Sequence, residues 1–302
     1  MAAKAFSWLS DLIGEIRTKV NQPESDPGQL SWDASEFAFA CRQEQDYLWE
    51  RLSALDKDFG ITIDTSLSVT ANSRTFTLPT NCRMLRRVVQ IDTSGNEVAG
   101  GALYDAKWEE LYESERACKY LPDANQLYFA MAPSATYPVK VVYGRHPVPL
   151  CHGIVQSGAS TTITLQDHEL NEDDALNGLV IRIYDGTGQG QEKAVTDYDG
   201  ATRVATTAAW SPVPDGTSKY TSRPELPWDL KQAFIYGVAA RLVEKLHGET
   251  DIVRVYFSQR EKHLLHGRGG AAALKRQSPK LIRDAYDDNG FADPMDVGSW
   301  HY

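Results

Sequence analysis

The chain is poor in the residues that metal, disulfide and membrane chemistry require. Its four cysteines, Cys41, Cys82, Cys118 and Cys151, are far apart in sequence and form no CxxC pair. That spacing excludes a zinc ribbon and reads as free thiols from a reducing compartment. No stretch approaches the roughly 20 apolar residues needed to span a bilayer. Met1 to Val20 carries acids at Asp11 and Glu15, which is not the charge layout of a signal peptide. HExxH and GxSxG are both missing. The seven histidines are scattered; His263 and His266 share a helical face, but no third metal ligand can be named beside them. Asp185-Gly186-Thr187-Gly188-Gln189-Gly190 lacks the GK[ST] ending of a phosphate loop and runs into strand-like residues, so it reads as a hairpin loop. Glu169, Glu172, Asp173 and Asp174 do not match calcium-loop spacing and read as solvated loop acids. These absences point away from an enzyme and from any cofactor or metal. A wall-degrading hydrolase would need a carboxylate with a shifted pKa in a cleft, and nothing in the sequence nominates one.

Basic residues are also scarce over most of the chain. The formal net charge is −10, and residues 252–302 hold eight Lys/Arg against six acids, which leaves −12 on residues 1–251. An acidic body lacks the basic footprint of general nucleic-acid binding. It suits a protein that must lie near nucleic acid without adhering to it.

What is present is a change of period along the chain. Phe6, Leu9, Ile13, Ile16 and Val20 predict an amphipathic helix over Phe6–Val20, capped by Ser7 or Ser10. Asn21 to Gly28, with Pro23 and Pro27, ends it. A second helix is predicted from about Ser31 to Leu55, with Trp32 at its start, Phe37, Cys41, Leu48 and Leu52 on one side, and Asp33 and Glu36 placed to suit its dipole. From Ile61 the pattern is that of strands. Leu67-Ser68-Val69 and Thr75-Phe76-Thr77-Leu78 flank an Ala71-Asn72-Ser73 turn, and Met84–Ile91, Gln126–Ala130 and Tyr137–Tyr143 follow. Tyr104 to Tyr112 reads as a short helix begun by Asp105. His146-Pro147-Val148-Pro149 marks a boundary.

Residues 151–222 read as a separate all-β insert, with strands at Thr161–Leu165, Val180–Tyr184, Glu192–Tyr198 and Arg203–Thr207. Asn177-Gly178, Asp185-Gly186, Asp199-Gly200 and Asp215-Gly216 supply its tight turns. Helical periodicity returns at Pro227, with Leu230, Phe234, Val238, Leu242 and Leu246 at every fourth position. Gly248 is placed to end that helix, and Thr250 or Asp251 to cap the next. The second helix is expected to show Ile252, Val255, Tyr256, Gln259 and His263 or Leu264 along one side. Two helices with so short a joint are antiparallel neighbours.

The last 34 residues, Gly269 to Tyr302, have no repeating apolar face and sort their charge, basic up to Arg283 and then five Asp with no base. Such a segment buries too little to order by itself, yet it carries pocket-filling anchors. It reads as an arm that lies on another protein. The binding residues expected in it are Lys275, Arg276, Lys280, Leu281, Ile282, Arg283, Tyr286, Phe291, Trp300 and Tyr302.

Several stretches, in this order, resemble the head-to-tail adaptor (connector) proteins of tailed bacteriophages. They are Ile16-Arg17 to Asn21 leading to Trp32, with Glu36 and Ala40; Phe76-Thr77-Leu78-Pro79-Thr80-Asn81-Cys82-Arg83; Leu127 to Pro133 with Tyr137-Pro138-Val139, Tyr143 and Pro147; and Leu226-Pro227-Trp228-Asp229. The resemblance implies a virion protein assembled in the host cytoplasm as a ring of about twelve copies. Such a ring would stack between the phage portal protein and a tail or nozzle protein, and double-stranded DNA would pass through it without sequence-specific binding. No membrane is involved. Residues 269–302 would then reach onto the portal or a neighbouring subunit. The fold expected is α+β. Helices of residues 1–58 and 225–268 form a bundle frame, residues 59–150 a central β domain, 151–224 an inserted small β domain, and 269–302 an extended arm. A second reading makes the insert a module that recognises a carbohydrate or a host or virion surface protein, with Trp210, Tyr184 and Tyr198 as stacking faces.

Overall fold

The computed structural model describes residues 6–20, 33–56, 58–105, 118–121, 125–129 and 131–266. Among them are four α-helices and three antiparallel sheets, a mixed α and β architecture. Two compact units divide the chain. One takes its described residues from Met1–Glu44 and Leu150–Tyr302, the other from Gln45–Pro149.

In the first unit, helix α1 (Leu9–Lys19) buries Leu9, Leu12 and Ile16 at the expected spacing. It starts three residues later than the sequence predicts, and neither Ser7 nor Ser10 caps it. Trp8 holds the N-cap position without a side-chain bond, and the Leu9 amide donates to the Ser222 carbonyl at 3.0 Å. A partner distant in sequence thus does what a capping hydroxyl would do. Helix α2 (Ala34–Leu55) starts at a reciprocal capping box. The Glu36 amide donates to Asp33 Oδ1 at 2.8 Å, and the Asp33 amide to Glu36 Oε2 at 3.3 Å. Ser31 and Trp32 lie outside the described residues. A 3₁₀ turn (Trp228–Leu230) after Pro227 leads into α3 (Lys231–His247), where the sequence predicts an α-helical first turn. Gly248, at φ 70°, ends α3, with its amide on the Glu244 carbonyl at 2.7 Å. The Val253 amide lies 3.4 Å from the Thr250 hydroxyl, which caps α4 (Asp251–His266).

α3 is the central helix. Ala233, Phe234, Ile235, Gly237, Val238, Ala239, Ala240, Leu242 and Val243 are all buried. It meets the segment before α1 through Phe6–Phe234, α1 through Lys231–Glu15, α2 through Arg241–Glu44 and Lys245–Glu36, and α4 through Tyr236–Tyr256. α4 turns a different side inward from the one its periodicity suggests. Val253, Arg260 and Leu264 are buried, while Ile252 and Val255 are about half exposed (51% and 53%). Polar contacts decide the phase, because Arg260 reaches Glu44 and the Tyr256 hydroxyl donates to the Lys19 carbonyl.

The rest of this unit is a sheet in the order β10-β11-β14-β13-β12-β15-β9. The strands are β9 (His152–Ile154), β10 (Ser157–Gly158), β11 (Thr162–Thr164), β12 (Val180–Asp185), β13 (Glu192–Asp199), β14 (Val204–Thr207) and β15 (Lys219–Thr221). β9 and β10 sit at opposite ends of that order, yet only Val155 and Gln156 separate them. The Val155 amide bonds the Ser218 carbonyl and the Gln156 amide the Thr164 carbonyl. One continuous segment therefore joins both edges and closes the sheet into a small barrel, which leaves no open edge. Val155, Ile163, Ile181, Ile183, Val195, Tyr198, Ala205 and Tyr220 are buried. Strict alternation would send Val195 and Tyr198 to opposite faces. The register shift between Val195 and Asp197 adds the odd residue that turns both inward.

The second unit is a two-sheet sandwich. One sheet runs β1 (Ile61–Asp64), β8 (Tyr137–Arg145), β4 (Cys82–Ile91), β5 (Glu97–Asp105), with β2 (Ser68–Val69) also on β8; the other runs β3 (Thr75–Thr77), β7 (Gln126–Phe129), β6 (Cys118–Leu121). Phe76, Leu127 and Phe129 of the smaller sheet share one core with Leu85, Val88, Val139, Val141 and Tyr143 of the larger. The turn predicted at Ala71–Ser73 is present, with Asn72 at φ 60°, but the runs beside it join different sheets. Tyr104 and Asp105 end β5 and do not begin a helix, since they pair with Val88 and Arg87. Residues 106–112 of that expected helix lie outside the described residues.

Candidate functional site

The binding residues expected from sequence, Lys275, Arg276, Lys280, Leu281, Ile282, Arg283, Tyr286, Phe291, Trp300 and Tyr302, all lie outside the described residues. The described chain ends with α4 at His266. What the structure does bring together is a buried charge junction on α2.

Arg42 and Glu44 are two residues apart, so they leave α2 on different sides. Arg42 turns toward the barrel. It pairs with Glu169, and its Nε donates to the Leu150 carbonyl at 2.6 Å. Glu169 is fully buried at its side chain and also accepts from the Tyr220 hydroxyl at 2.8 Å and the His152 amide at 3.1 Å. Burial pushes its carboxyl pKa above the usual range, opposed by Arg42 and His168. This corrects the reading of Glu169 as a solvated loop acid. Its neighbours in that run do serve the loop: Asp173 accepts from the Gly200 amide and Asp174 from the Asn177 side chain.

Glu44 turns toward α3 and α4. Its Oε2 accepts from Arg241 Nε at 3.0 Å and lies 3.4 Å from Arg260 Nη1. Burial pushes its carboxyl up to about 7 against the pull of Arg260 and Arg241. Gly237 makes the room, because a Cβ there would lie 2.0 Å from the Glu44 carboxyl carbon. Sequence reasoning passed over Glu44, although the signal was available. Phe37, Cys41, Glu44, Leu48 and Leu52 recur at three- and four-residue steps, so the acid stands inside the buried stripe.

Aromatic contacts complete the packing of helices on the barrel. His152 lies between Phe37, edge-on at 5.1 Å, and Tyr184, stacked at 5.7 Å. Burial holds its imidazole down at about 3. Trp8 lies under Arg223 at 4.0 Å and Arg182 at 5.6 Å. Two of the three aromatics offered as stacking faces of a recognition module are interior, Trp210 and Tyr198 at 3% and 1% exposure, and Tyr184 is engaged by His152. Asp185 to Gly190 is the hairpin loop between β12 and β13, with Gly186, Gly188 and Gly190 at positive φ. His263 stacks on Tyr236 at 5.4 Å. In the sandwich, the Leu78 to Arg83 stretch is a tied turn. The Cys82 amide bonds the Pro79 carbonyl, the Asn125 side chain donates to Pro79, and the Tyr143 hydroxyl donates to Asn81.

An open cleft of about 400 Å³ lies beside Asp33, Ala34, Ser35, Gln166, Asp167 and His168. Each buried carboxylate described here ends on a residue from another structural element. Such pairs hold parts of the fold in register. The chain belongs to the SU10 adaptor protein family, whose model matches residues 9–216, over two thirds of the sequence. The matched span takes in α1, α2, the whole sandwich and the barrel strands through β14. It is thus a bacteriophage adaptor, as the sequence resemblance implied. No curated protein matched the chain.

Proposed function

We propose that the protein is the ring-forming head-to-tail adaptor of a tailed phage virion, about twelve copies stacked between the portal and a tail or nozzle protein. The observation that carries this is the family match over residues 9–216, which spans parts of both compact units and not one isolated module. The helices of residues 1–58 and 225–268 form the frame of each copy. The domain at 59–150 and the insert at 151–224 are its β parts. Residues 269–302 form the arm, with Lys275, Arg276, Lys280, Leu281, Ile282, Arg283, Tyr286, Phe291, Trp300 and Tyr302 making contact with the portal or a neighbouring subunit. An arm of this kind adds weak contacts to an existing interface, where they count most. The −12 on residues 1–251 suits a channel through which duplex DNA slides without sequence-specific binding. The role requires no cofactor, catalysis or membrane, and assembly takes place in the host cytoplasm.

Native mass spectrometry tests this. The free chain is expected as a 33.6 kDa monomer that assembles to about twelve copies on a purified portal ring. A chain lacking residues 269–302 is expected to stay folded and to lose stable docking. A full-length monomer indifferent to the portal would overturn the adaptor reading, and normal docking of the truncated chain would overturn the role of the arm.

A further inference from the structure

Three helices meet at one carboxylate. Glu44 of α2 is fully buried. Its Oε2 faces Arg241 of α3 and Arg260 of α4, and its Oε1 has no hydrogen-bond partner among the described residues. Arg260 is shared, since its Nη2 also holds Glu261 at 3.0 Å. On α2 itself, the buried Cys41 lies one turn away. An ionised carboxylate cut off from bulk solvent is poorly solvated, and Coulomb attraction to two guanidiniums does not fully replace water. Of the three helices, α4 is the one that can yield. α3 is buried along most of its length, and α2 runs on through Leu55 into the other unit. α4 leaves Ile252 and Val255 half exposed; it packs on α3 through Tyr236, which meets Tyr256 and His263, and the chain links the two helices by Gly248–Thr250, with Gly248 in the left-handed region.

We propose that Glu44 is a proton-operated clamp on α4. With its proton bound, α4 lies closed on α2 and α3; when the proton is given up to solvent, the open position is favoured, because there the carboxylate reaches water. The raised pKa of the buried carboxyl, about 7 against an ordinary 4.5, agrees in sign. The closed form binds the proton more tightly than the open form. Its advantage is therefore fully present below about 4.5 and is lost as pH rises through about 7. Between those values opening rises by up to about tenfold per pH unit, on the order of a hundredfold in all. His263 on α4 works in the opposite direction. Burial, with Lys262 and Lys19 nearby, lowers its pKa, so it favours the closed form as pH rises. α4 leads directly into residues 267–302. Any effect of the clamp on docking rests on the proposed role of that segment, but the clamp itself can be tested on the free chain.

The experiment is hydrogen–deuterium exchange of the full chain between pH 4.5 and 8, corrected for intrinsic base catalysis and read on peptides within Val253–Leu264. Wild type is expected to show the hundredfold rise in opening, and Glu44→Gln, an isosteric change, to show none of it. Gly237→Ala, whose Cβ takes the carboxylate's place, should leave α4 open at every pH. A flat wild-type profile overturns the clamp without reference to any variant. A rise that persists in Glu44→Gln, or α4 protection in Gly237→Ala equal to wild type, overturns it equally.

Discussion

Arg42→Met tests whether the barrel is fixed to α2 by charge. Methionine retains the apolar stem of Arg42 but removes the ion pair to Glu169 and the donor to the Leu150 carbonyl. Glu169 would stay buried with its bonds from Tyr220 and the His152 amide, which are neutral donors. Removing one partner of a buried pair costs about 3–5 kcal/mol, most of it from the charge left behind. Glu169 can limit that cost by taking up a proton, which burial already favours. The loss should therefore be largest near pH 8 and shrink toward pH 5. The double variant Arg42→Met/Glu169→Gln should recover much of it, because an amide oxygen still accepts from Tyr220 and from His152. Urea unfolding of the two single variants, the double variant and wild type, followed by tryptophan fluorescence at both pH values, gives the coupling energy. Arg42→Met within about 0.5 kcal/mol of wild type at pH 8, or no recovery in the double variant, would refute the reasoning.

Two further perturbations probe the same unit. His152 is buried, its Nδ1 has no hydrogen-bond partner among the described residues, and burial holds its folded pKa at about 3, below the ordinary 6.5. Its contribution is thus present above 6.5 and lost as pH falls toward 3. His152→Phe should keep the contacts with Phe37 and Tyr184 and remove about 3–5 kcal/mol of acid sensitivity across that window, read as the difference between the two pH–stability profiles. Gly186 sits at φ 80°, and a Cβ there would lie 2.2 Å from the Thr217 carbonyl oxygen, a contact with backbone that cannot step aside. Gly186→Ala should cost roughly 2–3 kcal/mol, from the left-handed backbone and the clash together, and a thermal melt unchanged from wild type would count against the close approach of Gly186 to Thr217.

The packing also changes how the barrel can be studied. Read from sequence as a separate insert, residues 151–222 invite simple excision. In the structure α1 donates a backbone bond to the Ser222 carbonyl, Phe37 packs on His152, and Arg42 pairs with Glu169. Excision would strip partners from both N-terminal helices, so a failure to assemble would say nothing about the barrel's own role. Substitutions on its exposed face, such as Val213 at 37% exposure, avoid that problem.

Local rules in the sequence were enough to place most of the elements. Asp33 and Glu36 start α2 through bonds spanning three residues, Gly248 stops α3 by its own backbone freedom, and the Asx-Gly pairs turn the barrel strands. Such signals act over a few residues, so they can be read without knowing what packs nearby. Where a distant partner decides, the sequence pattern alone was insufficient. α1 begins at Leu9 because Ser222 supplies an acceptor, and α4 rotates from its apolar stripe because Arg260 answers Glu44. The burial of Glu169 requires Arg42, far back in the chain, and the barrel closes only because residues 152–158 bond two strands at opposite ends of the order. Periodicity says which side of an element is apolar. Which neighbour covers it, and whether a charge can be buried there, depends on free energies shared between residues far apart in sequence, and these exist only once the chain is folded.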